Sequence, residues 1–128
     1  MRFCVTKQWL PIIAVVTLGA VLASGGDNNK RQTINGYLVD LACISQRSSE
    51  LATLGPKHTK KCLMMPQCER SGYAVLTLDQ KVIKFDADGN QRAKKLIASS
   101  KREKDYRIVA VGSIVGDEIH VTKLELQK

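Results

Sequence analysis

Runs of apolar and β-branched residues, each bounded by turn residues, predict five short β-strands. The predicted strands cover residues 34–43, 73–79 and 81–86 and the two arms of residues 106–127. Asp79-Gln80 and Gly116-Asp117 have the composition of tight hairpin turns. In the fourth strand Val109 and Val111 are predicted to face the core, and the alternation in the fifth turns His120 outward.

Between the third and fourth strands the apolar spacing changes to that of a helix. Ala93, Leu96 and Ile97 fall on one face of a helix over residues 91–100, which follows the turn signal DADGN and has Asn90 as its N-cap. Five strands with a helix between the third and the fourth is the order of the OB-fold. The sequence therefore predicts a mainly β fold, a small OB-like barrel over residues 34–128.

Residues 44–70 form a long connection with no clear period. One short helix is predicted at residues 48–54, and Gly55-Pro56 should end it before His58. Connections of this length in compact domains are usually functional or disordered.

The N-terminus has the pattern of a secretory signal. Arg2 and Lys7 precede the uncharged run of residues 10–23, which ends in small residues. A membrane span needs about 20 residues and this run is shorter, so we expect cleavage after Ala23, with Gly25 as the alternative, rather than a retained anchor. Residues 24–33 are polar and predict a flexible lead-in, and the processed protein is expected to be exported, periplasmic or secreted, with no membrane span.

Charge adds a hint about partners. The chain carries 20 Lys and Arg against 12 Asp and Glu, a net charge of +8. Removal of Arg2 and Lys7 with the signal leaves +6. An excess of this size favours an acidic or anionic partner, such as lipid headgroups or polysaccharide. Export and the scarcity of aromatic residues argue against nucleic acid.

Candidate chemistry is concentrated in the long connection and at its start. Cys43, His58, Cys62 and Cys68 make a possible Cys₃His set for a tetrahedral metal ion, Zn²⁺ or copper. His58 and Cys62 are four residues apart, so one helical turn could place both on one face. The thioethers of Met64 and Met65 lie between the last two thiols and would suit Cu(I) as additional soft ligands.

Two alternatives remain open. Exported thiols commonly form disulfides, and Cys43, Cys62 and Cys68 allow three pairings with one thiol left over, which could join two chains as a dimer. A thiol redox factor is the other alternative, because a basic patch surrounds Cys62 and positive charge lowers a thiol pKa. The patch consists of Lys57, Lys60 and Lys61.

No nucleophile motif, phosphate-binding loop or paired-carboxylate setting points to catalysis. The primary prediction is a non-catalytic binding module, and the sequence assigns no enzymatic reaction.

The segments GYLVDLAC, KHTKKCLMMPQC, SGYAVLTLD and KVIKFDADGN together resemble a group of small exported bacterial proteins of uncharacterised function. Their shared outline is a strand ending in V-D-x-x-C, a loop with His and two Cys, and a barrel-like β region. The resemblance implies an OB-like exported module with a site at Cys43, His58, Cys62 and Cys68. In this chain three residues separate His58 from Cys62, against two in some of those proteins.

Overall fold

A computed structural model describes residues 30–128, so the predicted signal segment 1–23 lies outside the described residues. Five strands form one mixed sheet: β1 Arg31–Asp40, β2 Tyr73–Thr77, β3 Val82–Phe85, β4 Arg107–Val115 and β5 Glu118–Leu126. They pair in the order β1-β2-β3-β5-β4, and β4 pairs with β1, so the ring of strand pairing closes. The β3–β5 pair is parallel and the others are antiparallel. The prediction of five strands is confirmed, although β1 begins inside the predicted lead-in.

The described residues also form five α-helices: α1 Leu41–Gln46, α2 Leu51–Lys57, α3 Lys60–Leu63, α4 Pro66–Ser71 and α5 Ala87–Ser99. A 3₁₀ turn at Ser48–Glu50 precedes α2. Strand and helix each account for about 39% of the structure, so the mainly β class with one helix is too narrow. Four of the helices have four to seven residues. Helices this short span too few residues to produce a clear hydrophobic period, so the sequence of residues 44–70 shows none. None of the described helices is long and apolar enough to cross a membrane.

Helix α5 starts four residues earlier than predicted, because Asp86 rather than Asn90 is its N-cap. The Asp86 carboxylate accepts the Gly89 amide at 2.9 Å and the Val121 amide of β5 at 3.1 Å. The DADGN segment is therefore the first turn of the helix and not a separate turn. Ile97 is buried and Leu96 packs partly against the same core, so the predicted packing face is confirmed.

The facing of β4 is opposite to the prediction. Ile108 and Ala110 are fully buried, whereas Val109 and Val111 are only half-buried. Because β4 carries apolar residues on both faces, the sequence does not indicate which face points to the core. His120 is 51% exposed, as its predicted outward orientation requires.

A second apolar cluster on the outside of β1 and β2 holds helix α2 in place. Tyr37 and Val39 of β1 pack there with Leu54 of α2. Gly55 permits this contact, since a Cβ at that position would lie 2.5 Å from the Tyr37 ring. Helix α2 ends at Lys57, and the anchored helix therefore fixes where the chain enters His58.

Candidate metal centre

The centre of the candidate site is a buried hydrogen bond between the side chains of Asp40 and His58. The His58 Nε2 atom lies 2.7 Å from Asp40 Oδ2. The side chain of Asp40 is fully buried and that of His58 is 3% exposed. Burial of a carboxylate is costly unless partners satisfy its oxygens. Among the described residues no buried side-chain nitrogen or oxygen lacks a partner.

Asp40 holds its position because it serves two elements at once. It is the last residue of β1 and the N-cap of α1, with extended backbone angles. Its Oδ1 atom accepts the amide hydrogen of Cys43 at 2.8 Å. This cap brings the Cys43 side chain, in the first turn of α1, next to the carboxylate.

One donor atom each from Asp40, Cys43 and His58 lies within 4.8 Å of the other two. A carboxylate oxygen, a thiol sulfur and an imidazole nitrogen are all ligands that Zn²⁺ accepts. These three residues therefore form the part of the described structure that is best arranged to hold a metal ion.

Cys68 approaches this group from helix α4. Ser71 joins α4 to α1, since its hydroxyl accepts the Ala42 amide at 3.1 Å and donates to the Cys68 carbonyl at 2.7 Å. The Cys68 thiol is buried beside Asp40 and Cys43 and interacts with both. It lies outside the 4.8 Å group, however.

Cys62 also lies outside the 4.8 Å group. It is half-buried in α3, where the Thr59 hydroxyl caps its amide at 3.2 Å, and it is close enough to affect the charge on Cys43. His58 lies between α2 and α3 in an extended conformation, so the predicted helical turn shared by His58 and Cys62 is wrong. The Gly55-Pro56 pair lies in the last turn of α2 and the helix ends before His58.

The other predicted residues lie outside the group. Met64 and Met65 are 52% and 38% exposed. Lys57 and Lys61 are exposed, and the Lys60 ammonium donates to the Ser100 carbonyl at 2.6 Å.

Electrostatics keeps the Asp40 carboxylate charged and the thiols of Cys43 and Cys68 protonated. Burial raises the pKa of Asp40, but hydrogen bonds from His58, the Cys43 amide and Cys68 outweigh it and hold the pKa below 3.8. Burial, followed by the Asp40 charge, raises the pKa of Cys43. Burial, followed by the hydrogen bond to Asp40 and then the Asp40 charge, raises the pKa of Cys68 to about 12.

Those thiol pKa values argue against the redox alternative for Cys43 and Cys68, because reactive thiols have lowered pKa values. A bound metal cation would instead lower these thiol pKa values, since it binds thiolates and displaces their protons.

The structure adds Asp40 to the residues predicted from the sequence. The signal that could have found it is an aspartate three residues before Cys43 at a strand–helix boundary, which is the pattern of an N-cap.

Comparison with known proteins adds nothing to this picture: no family model matches the chain, and no curated protein or solved structure matches it significantly.

Proposed function

We propose that this protein is an exported, non-catalytic binding module that holds a transition-metal ion in its Asp/Cys/His cluster. The carrying observation is the convergence of Asp40, Cys43 and His58 donor atoms within 4.8 Å at a position where two of the side chains are almost inaccessible. Cys68 is the best candidate for a fourth donor, because it is buried beside two of these residues.

The cluster needs little rearrangement to become tetrahedral. Zinc bonds of about 2.0 to 2.3 Å place neighbouring ligand atoms roughly 3.3 to 3.8 Å apart. Donor atoms up to 4.8 Å apart therefore have to approach by about 1 to 1.5 Å, whereas Asp40 Oδ2 and His58 Nε2, which lie 2.7 Å apart, would have to separate by roughly 0.6 Å if both bound the ion.

Asp40 has two possible roles that a single variant separates. It can bind the ion directly, or it can stay hydrogen-bonded to His58 and orient the ring, as carboxylates beside zinc-bound histidines do. Loss of an orienting partner typically weakens metal binding by about 10- to 100-fold. A greater loss in Asp40→Asn would indicate direct coordination.

The donor chemistry favours zinc over copper. Carboxylate and imidazole suit Zn²⁺, whereas Cu(I) prefers thiolates and thioethers. Met64 and Met65 are largely exposed, so their contribution as ligands would require the α3–α4 junction to fold inward.

Metal analysis with thiol counting on the same sample tests the proposal. We expect one equivalent of metal and protection of Cys43 from alkylation until a chelator is added. Cys43→Ser should lose the metal, whereas Cys62→Ser is the matched control and should retain it, because Cys62 lies outside the group and, unlike Cys68, does not hydrogen-bond Asp40. Equal metal content in wild type and Cys43→Ser would refute the proposed ligand set.

One observation favours a second candidate, a domain stapled by a disulfide. Cys43 and Cys68 are neighbours on two helices that Ser71 joins, and exported thiols tend to oxidise. Their bond would close a loop of about 25 residues, which corresponds to about 3.5 kcal/mol of stabilisation in the chain-entropy description. A Cys43–Cys68 crosslink in peptides mapped without reductant, with no metal present, would favour this candidate.

The remaining parts of the proposal concern the fold class and the cellular location. Closure of the strand ring, with α5 between β3 and β4, supports an OB-like barrel. Export, and membership of the small bacterial group that the chain resembles, rest on sequence patterns. The intact mass of protein recovered outside the cytoplasm tests export, because processing should remove residues 1–23.

A further inference from the structure

A cluster of exposed lysines lies next to the candidate metal centre and comes from two distant parts of the chain. Thr59 and Lys104 form an isolated antiparallel bridge, and the Lys60 amide donates to the Glu103 carbonyl at 2.8 Å. The segments 57–61 and 100–104 therefore lie side by side. Their exposed lysines are Lys57, Lys61, Lys101 and Lys104.

The positive charge of these lysines is largely uncompensated. Elsewhere several basic side chains pair with acids, for example Lys84 with Asp117 at 2.9 Å. None of the ion pairs formed within residues 30–128 includes any of the four lysines. Glu103 is the one acidic residue in the two segments.

Exposed apolar side chains adjoin this charge. Met64 and Met65 follow Lys61 closely at the junction of α3 and α4, and both are among the few large apolar side chains that the described residues expose. Met64 also borders a shallow depression of about 230 Å³ that it shares with Ala98 of α5. Helix α5 leads directly into segment 100–104, so the methionines and the lysines occupy neighbouring surface.

We propose that this lysine–methionine face, defined by the four lysines with Met64 and Met65, binds a membrane surface that contains anionic lipid. Lysines near such a surface are attracted to the headgroups, and adjacent apolar side chains enter the boundary between headgroups and acyl chains. A soluble acidic polysaccharide would use the lysines but would give the exposed methionines no role, so the combination favours the membrane.

Hydrogen exchange of the full chain, with and without vesicles, tests the proposal. With vesicles of phosphatidylglycerol and phosphatidylcholine, we expect slower exchange in segments 57–66 and 100–104 and unchanged exchange in segment 113–120. Pure phosphatidylcholine should have no effect. Because exchange is read segment by segment, binding through any other part of the chain does not produce this pattern.

Variants give the expected size of the effect. Each lysine near an anionic surface contributes about fivefold to partitioning, so Lys61→Gln with Lys104→Gln should weaken binding by about 25-fold. The matched control is Lys81→Gln with Lys123→Gln, which removes two exposed, ion-paired lysines elsewhere and should change binding by less than about twofold.

Substitution of Met64 and Met65 by serine should weaken vesicle binding by about fivefold, because partial burial of two thioether side chains is lost. Equal weakening by the control pair, or no protection of segments 57–66 and 100–104, would overturn the proposal. Protection of the same segments by a soluble sulfated polysaccharide, with no effect of the methionine substitutions on vesicles, would identify a polyanion rather than a membrane. Thermal unfolding of each variant verifies that it is folded.

Discussion

Asp40→Asn is the change that separates the charge of the buried carboxylate from its role as a helix cap. Asparagine has nearly the same size, and it caps helices about as well as aspartate, so the oxygen that accepts the Cys43 amide at 2.8 Å is kept. The second oxygen, 2.7 Å from the His58 ring, becomes an NH₂ group. The variant therefore removes the charge and disrupts the hydrogen bond to His58.

The expected cost follows from these contacts. A hydrogen bond to a charged group contributes about 1.5–3 kcal/mol, so Asp40→Asn should lower the free energy of unfolding by about 2 kcal/mol. Asp40→Ala also loses the cap, about 1 kcal/mol, and leaves a buried imidazole unpaired, so its total should reach about 4 kcal/mol. Asp86→Asn is the matched control. One Asp86 oxygen accepts both of its amide partners, and an asparagine oxygen keeps them, so the cost should be below about 1 kcal/mol.

Urea unfolding with chelator and reductant measures these values without metal or disulfide. The midpoint should fall at unchanged slope, because the surface exposed on unfolding stays the same. A double-mutant cycle with His58→Ala should give a coupling energy of about 1–3 kcal/mol. An Asp40→Asn variant within about 0.5 kcal/mol of wild type, or no coupling to His58, would refute the account of the buried pair.

Three further predictions concern pH, backbone packing and strand facing. Folding raises the pKa of Cys68 from 9.0 to about 12 and that of Tyr73 from 10.0 to about 12. Because the unfolded chain loses these protons at lower pH than the folded chain, the free energy of unfolding should fall as pH rises from 9 toward 12. Urea unfolding without metal measures this decrease. Gly112→Ala would place a Cβ in steric overlap with the His120 carbonyl oxygen, so it should cost about 3 kcal/mol and lower the melting temperature. Ile108→Asp should unfold the protein whereas Val109→Asp should leave it folded, since only Ile108 is fully buried, and circular dichroism distinguishes the two outcomes.

Strands and helix α5 could be predicted because their periodicity extends over enough residues. The turns at Asp79-Gln80 and Gly116-Asp117 have positive φ at Gln80 and Gly116, where turn chemistry indicated a reversal. Facing was harder to predict, because β4 carries apolar residues on both faces. The chain gave no local sign that Ile108 rather than Val109 points inward.

Of helices α1 to α4 only α2 was predicted in part, by the helix expected at residues 48–54, because the stability of such short helices is not local. Helices this short are marginal alone, and tertiary contacts decide whether they form. Tyr73 shows how this happens, since its hydroxyl donates to the Leu63 carbonyl at 2.8 Å and fixes the end of α3. Such a bond joins residues ten positions apart across a strand boundary, and no periodicity records it.

The cysteines and His58 could be predicted as candidates from their residue types, but their relative importance could not. Sequence spacing suggested that His58 and Cys62 share a helical turn, whereas the structure groups His58 with Asp40 and Cys43. Asp40 was missed as a site residue because it was assigned only as part of a strand. Asp40 matters to the site because it lies at the end of β1, where its buried carboxylate bonds both the Cys43 amide of α1 and the His58 ring.

The order of the connection and the chemistry of the site therefore have a common origin. Asp40 caps α1 and pairs with His58 at the end of α2, while Ser71 joins α1 to α4. A metal ion bound by Asp40, Cys43 and His58, or a disulfide between Cys43 and Cys68, would reinforce the same junctions that these hydrogen bonds already make. Each would stabilise helices that have too few residues to be stable alone. The fold thus positions the donor atoms in advance, and occupation of the site would in turn stabilise the segment that carries them.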